Sequence, residues 1–113
     1  MSIYSGQGQF KRIHIGNEFI YAYFDQSITL ADVARAACLS PNHFLRSYKQ
    51  LFGMSPHQYL TERRLQESKK LLLQTDKSIT DICLEVGFQS PSSFSGLFSK
   101  RFSMTPSQFR QEK

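Results

Sequence analysis

A chain of 113 residues holds one domain or two small lobes; 40% hydrophobic residues with ten Phe suffice for a core, though either half alone is marginal. The net charge of +5 and pI near 9.4 favour an anionic partner such as nucleic acid. No apolar run approaches the ~20 residues of a membrane span, and no secretory h-region is legible, so a cytoplasmic chain with Cys38 and Cys83 as reduced core thiols is expected.

Residues 1–16 read as a partly flexible arm, because Gly6, Gly8 and Gly16 interrupt any period. Phe10, Ile13 and Ile15 suit either a short extended piece or packing onto the domain, and Lys11 and Arg12 suit either phosphate contact or solvent. Asn17 is expected to cap a helix over residues 18–25, with Ile20, Tyr23 and Phe24 inward. Thr29 caps the next, with Asp32 favouring the positive helix end. There Leu30, Val33, Ala34 and Ala37 recur at i, i+3, i+4, i+7. After a turn at Cys38-Leu39, Ser40 caps and Pro41 opens a helix to residue 52. Phe44, Tyr48, Leu51 and Phe52 form its apolar face; Asn42, Leu45, Arg46 and Lys49 form the opposite one. Two helices joined by a short turn, the second with a basic outer face, make the helix-turn-helix pattern. In a major groove Asn pairs with adenine, Arg with guanine, and an outward Leu meets a thymine methyl. Taken alone, the same helix is equally an amphipathic one with Arg46 and Lys49 in solvent.

A long linker helix is expected over 55–73, capped by Ser55 and opened by Pro56, with Leu65, Ser68 and Leu72 on one stripe beside Leu71. At 1.5 Å per residue it is about 27 Å long. Ser78 caps a fifth helix with Ile79, Ile82, Cys83 and Val86 inward; Gly87-Phe88-Gln89 forms the turn, and Ser90-Pro91 opens a sixth helix to residue 102. Phe94, Leu97, Phe98 and Phe102 are its expected inner face, Ser92, Ser95, Gly96 and Ser99 its outer one, with Lys100 and Arg101 nearby. Thr105-Pro106 opens a short last helix.

The two halves repeat each other. A shift of fifty superposes Ser40-Pro41 on Ser90-Pro91, Phe44 on Phe94, Tyr48 on Phe98, Phe52 on Phe102, and Met54-Ser55-Pro56 on Met104-Thr105-Pro106. Upstream the shift is forty-nine, laying Leu30, Val33, Ala34 and Ala37 on Ile79, Ile82, Cys83 and Val86, so the second turn carries one extra residue. Two copies mean a duplicated helix-turn-helix rather than a solenoid.

From about Glu18 to Gln111 the chain resembles the DNA-binding domain of AraC/XylS-type transcription regulators. The resemblance rests on Ile79-Thr80-Asp81-Ile82, Glu85-Val86-Gly87-Phe88, Phe94-Ser95, Phe98 and the run from Arg101 to Arg110. In the first half it rests on Leu39-Ser40-Pro41, His43-Phe44, Lys49, Phe52 to Pro56 and Tyr59-Leu60, and in the linker on Arg64-Leu65 with Leu71-Leu72. It implies an all-α fold of about seven helices over 17–111: a first helix-turn-helix at 29–52, the linker, and a second at 78–102. It implies a monomeric module, with no cofactor or metal, whose two recognition helices enter adjacent major grooves of double-stranded DNA. The family's base-contacting positions fall on Asn42, Leu45 and Arg46, with Lys49 beside them, and on Ser92, Ser95 and Gly96. Phosphate contacts are expected from Ser40, His43, Ser90, Ser93, Ser99 and Lys100, although His43 reads equally as a partly exposed surface residue. The function so implied is a nucleoid-associated transcription regulator, with activation the expected mode and repression left open. It is either stand-alone or shortened, or else a domain of a larger repair or sensing protein. The alternative is a module of the same fold that binds RNA polymerase or another regulator instead of DNA.

Three positions depart from the family pattern. Gly96 stands where Arg is common, Ser99 where Lys is common, and Cys38 where a turn Gly is usual. Reading is therefore expected to be asymmetric, with the first helix carrying most specificity. No other chemistry is legible: His14, His43 and His57 lack zinc-ligand spacing from the two Cys, and no phosphate loop or nucleophile–base pair points to an enzyme.

Overall fold

The computed structural model describes residues 2–112, with side chains from residue 8 onward. The described residues form seven helices: α1 (Ser2–Tyr23), α2 (Leu30–Ala36), α3 (Pro41–Phe52), α4 (Pro56–Gln74), α5 (Ile79–Glu85), α6 (Pro91–Phe102) and α7 (Pro106–Gln111). They divide between Thr61 and Glu62 into two compact units. None of the described helices is long and apolar enough to cross a membrane.

In the first unit, α1 corrects the expected arm and late first helix. The helix is continuous through all three glycines, because its tertiary contacts outweigh the ~0.5–1 kcal/mol that each costs. Ile13 and Ile20 are buried with Val33, Ala34, Ala37, Phe44, Tyr48 and Leu60. Gly16 lies at the close approach of α1 to α3: a Cβ there would stand 2.3 Å from Phe44 Cε1. Asn17 is not a cap but an interior acceptor, taking a 2.6 Å hydrogen bond from Tyr48 Oη. Burial, with Tyr59 nearby, pushes the Tyr48 phenol pKa up. Gln9 Nε2 donates to Ser47 Oγ, a second tie between α1 and α3.

Thr29 and Asp32 form a reciprocal capping box on α2, and Ser40 Oγ accepts from His43 N–H at 3.2 Å to cap α3. Between them the chain closes on paired hydrogen bonds, Cys38 N–H to Arg35 O and Leu39 N–H to Ala34 O, with Cys38 left-handed at φ 58°. This geometry turns the Cys38 thiol outward, so the expected core thiol is exposed. Leu51 and Tyr23, expected inward, are also exposed, at 37% and 45%.

In the second unit the same turn recurs, with Gly87 N–H to Leu84 O, Phe88 N–H to Cys83 O, and Gly87 at φ 106°. Leu65, Ser68 and Leu72 of α4 are buried as their stripe requires; Ser68 hides its hydroxyl by donating to Leu65 O at 2.7 Å. Ile82, Cys83, Val86, Phe88, Phe94 and Phe98 complete the core, whereas Leu97 faces outward at 39% exposure. The Arg110 guanidinium donates to Leu72 O and Thr75 O, satisfying free carbonyls at the C-terminal end of α4. Burial raises the pKa of the Cys83 thiol.

Candidate nucleic-acid interface

The first candidate recognition helix, or reader, is α3, and it is positioned by its apolar face. Phe44, Ser47 and Tyr48 are buried at i, i+3, i+4, which turns the remaining side of α3 outward. On that side Asn42, Leu45, Arg46 and Lys49 line one shallow groove together with Gln50. Asn42, Arg46 and Lys49 are exposed and Leu45 is half-buried. Neither Arg46 nor Lys49 has an ion pair with any described residue, so both cations are open to an external anion. Gln50 was not among the expected contacts, although its i+4 spacing from Arg46 is readable in the sequence. His43 is half-buried beside the cap, and the Ser40 oxygen, accepting one bond there, keeps its own proton to donate.

The second reader is built the same way within the second unit. Phe94 and Phe98 are buried, leaving Ser92, Ser95, Gly96 and Ser99 on the opposite face of α6 at i, i+3, i+4, i+7. A Cβ on Gly96 would meet nothing within 4 Å, so close packing does not require glycine there. Ser90 caps the helix through Ser93 N–H at 3.3 Å, and its hydroxyl lies 3.0 Å from Ser92 Oγ. Ser93 and Lys100 are exposed.

Arg101 is committed elsewhere. Its Nε and Nη2 meet the two carboxylate oxygens of Glu62 at 2.8 and 3.0 Å, and its guanidinium lies 4.9 Å from the Phe102 ring centroid. Those hydrogen bonds, with Gln66 adding another, hold the Glu62 carboxyl below its usual pKa range. The pair ties α6 to the part of α4 in its own unit. Its 39-residue separation leaves no local signal from which the pairing could be read. Both Lys100 and Arg101 are exposed, but Arg101 is ion-paired, so Lys100 is the cation on this side without an ion pair among the described residues.

Comparison with known proteins bears on these helices directly. A helix-turn-helix domain family matches residues 33–112. The melibiose operon regulatory protein of Escherichia coli K12 is 38% identical over 93 residues, covering 82% of this chain and 31% of that protein. A transcriptional regulator of the AraC-type DNA-binding-domain proteins from Chromobacterium violaceum superposes with a TM-score of 0.84 at 30% identity, covering 94% of this chain and 95% of that one. The C-terminal domain of AraT, a response regulator from Geobacillus stearothermophilus, superposes at 0.85 with 31% identity, covering 90% and 85%. This chain spans about a third of the length of the curated relatives it matches. The duplicated turn, the two capped readers and the match over nearly the whole of the Chromobacterium domain lead to one conclusion: the chain belongs to the AraC-type helix-turn-helix family.

Proposed function

We propose that the chain is a sequence-specific, double-stranded-DNA-binding transcription regulator, acting as a monomeric module on the nucleoid. α3 and α6 are its recognition helices, placed in adjacent major grooves of one duplex. Asn42, Leu45, Arg46 and Lys49 address bases from the first, and Ser92, Ser95 and Gly96 from the second. Ser40, His43, Ser90, Ser93, Ser99 and Lys100 hold phosphate. The domain limits are those of the sequence reading, 29–52, 55–73 and 78–102. The observation that carries this is the groove on α3: Asn42, Arg46 and Lys49 exposed beside Leu45, with both cations lacking an ion pair among the described residues. That set can make bidentate contacts to purines, an apolar contact to a thymine methyl, and phosphate neutralisation.

The relatives' names support the regulatory role, since one is the melibiose operon regulatory protein and another the lactose operon transcription activator of Staphylococcus xylosus. The short polar outer face of α6 supports asymmetric reading, and also sustains a second reading in which this surface meets RNA polymerase or another regulator. A salt titration against random duplex separates the two. DNA binding gives log affinity falling with log salt at about 0.9 per phosphate neutralised; a flat response refutes it and favours the protein partner. For the adjacent-groove placement, five base pairs inserted between the two contacted stretches should abolish specific binding, because half a turn puts them on opposite sides of the duplex.

A further inference from the structure

The first unit contains an apolar cavity that the proposed function does not use. Ile28, Leu30, Val33, Leu45 and Leu60 line a partly open space of about 170 Å³, with Ser55 and the exposed His57 at its edge. A dry, hydrocarbon-lined space of roughly 150 Å³ is large enough for a benzene ring.

The internal repeat supplies a control. The second-half positions matching Ile28, Leu45, His57 and Leu60 are Lys77, Ser95, Ser107 and Arg110. Arg110 is moreover spent on the carbonyls of Leu72 and Thr75. The helix-turn-helix framework therefore folds with polar residues at these four places; Leu30 and Val33 keep apolar counterparts in Ile79 and Ile82, so of these lining residues Ile28, Leu45 and Leu60 are the ones that are apolar in the first half alone. Leu45 is also shared, for it lines both this cavity and the outer groove of α3.

We propose that this cavity binds a small neutral aromatic molecule the size of phenol, its ring among Ile28, Leu30, Val33 and Leu60 and its single polar group toward His57. Resting on the DNA-binding reading, we further infer that the ligand competes with the facing base pair for the Leu45 side chain, so ligand and DNA oppose each other.

The test is methyl NMR of the full chain titrated with phenol, without DNA. A ligand of seven heavy atoms gives a dissociation constant on the order of millimolar. Saturable shifts are expected at Ile28, Leu30, Val33, Leu45 and Leu60, with the Ile82 methyls unmoved. Ile28→Lys, which installs the sister residue, should remove them, and His57→Ser should weaken binding about fivefold, the loss of one net hydrogen bond. If Ile28→Lys fails to fold, Leu45→Ser is the substitute. Shifts that do not saturate by about 20 mM, or that spread equally over the second unit, overturn the site. In a separate arm, saturating phenol should weaken DNA binding about threefold or more. Phenol binding with unchanged DNA affinity overturns the opposition but not the cavity, and phenol binding in a chain that binds no DNA overturns only the DNA-binding reading.

Discussion

Gly16 carries the contact on which the first reader is seated, and Gly16→Ala tests it. The new Cβ would lie 2.3 Å from Phe44 Cε1, 2.6 Å from Cζ and 3.4 Å from Ala37 Cβ. Approaches under 3 Å force a displacement, and Phe44 cannot swing into solvent: it is fully buried, with Tyr48 at 5.5 Å between ring centroids. Overpacking of this kind costs about 1–3 kcal/mol, and a rigid ring places it in the upper part of that range. Alanine returns about 0.5–1 kcal/mol of helix stability. The net is a destabilisation of about 1–2 kcal/mol, measured by urea unfolding followed by circular dichroism. Gly96→Ala is the matched control: its Cβ meets nothing, so it should stabilise by about 0.5–1 kcal/mol. In a double-mutant cycle, Phe44→Leu should cost less in the Gly16→Ala background than in the native one. A Gly16→Ala chain as stable as the native protein, with additive behaviour toward Phe44→Leu, would refute the close-packed crossing.

Four further outcomes are expected. Cys38→Gly should stabilise by about 0.5–1 kcal/mol, because relief of a left-handed non-glycine residue exceeds the entropy that glycine adds; Ser103→Gly, at φ 62°, should do the same, each checked by thermal melts. Arg46→Ala should cost about 1–3 kcal/mol of DNA affinity and relax one base position, while Ser95→Ala costs little; equal losses in quantitative binding assays would defeat asymmetric reading. Glu62→Gln should lower the Tm at pH 7. Because the folded Glu62 pKa is lowered, its contribution is complete above the unfolded value of ~4.3 and is lost as pH falls through the folded one, so melts of variant and native chains should converge in acid. Tyr48→Phe should cost about 1–3 kcal/mol by leaving the Asn17 side chain without its donor, read by the same urea assay.

Much of the architecture was legible because it is written in local rules. Ser40, Ser78, Ser90 and Thr105 each cap the helix expected of them. Pro41 and Pro91 open the two readers, and both end at the expected residue, Phe52 and Phe102. The shift between the halves showed that the second turn has one extra residue; the structure identifies it as Gln89, since Leu39 and Phe88 make the same bond but Ser40 and Ser90 lie one and two residues beyond them. The α3 outer face was readable for the same reason: a helix with one buried stripe has only one other side to offer.

What the chain alone determined, then, is the helices from α2 onward and their caps, set by neighbours within about four residues, together with the duplication. Tertiary structure decided the remainder. It made α1 continuous, because packing against Phe44 and the bond from Tyr48 to Asn17 outweigh the helix-weakening glycines. It exposed Leu51 and Leu97, since a stripe wider than the neighbouring helix leaves its margin uncovered, and it exposed Cys38 by placing it in a left-handed turn. It drew Arg101 to Glu62 and opened an apolar cavity beneath Leu45, because partners dozens of residues apart meet only once the helices have packed.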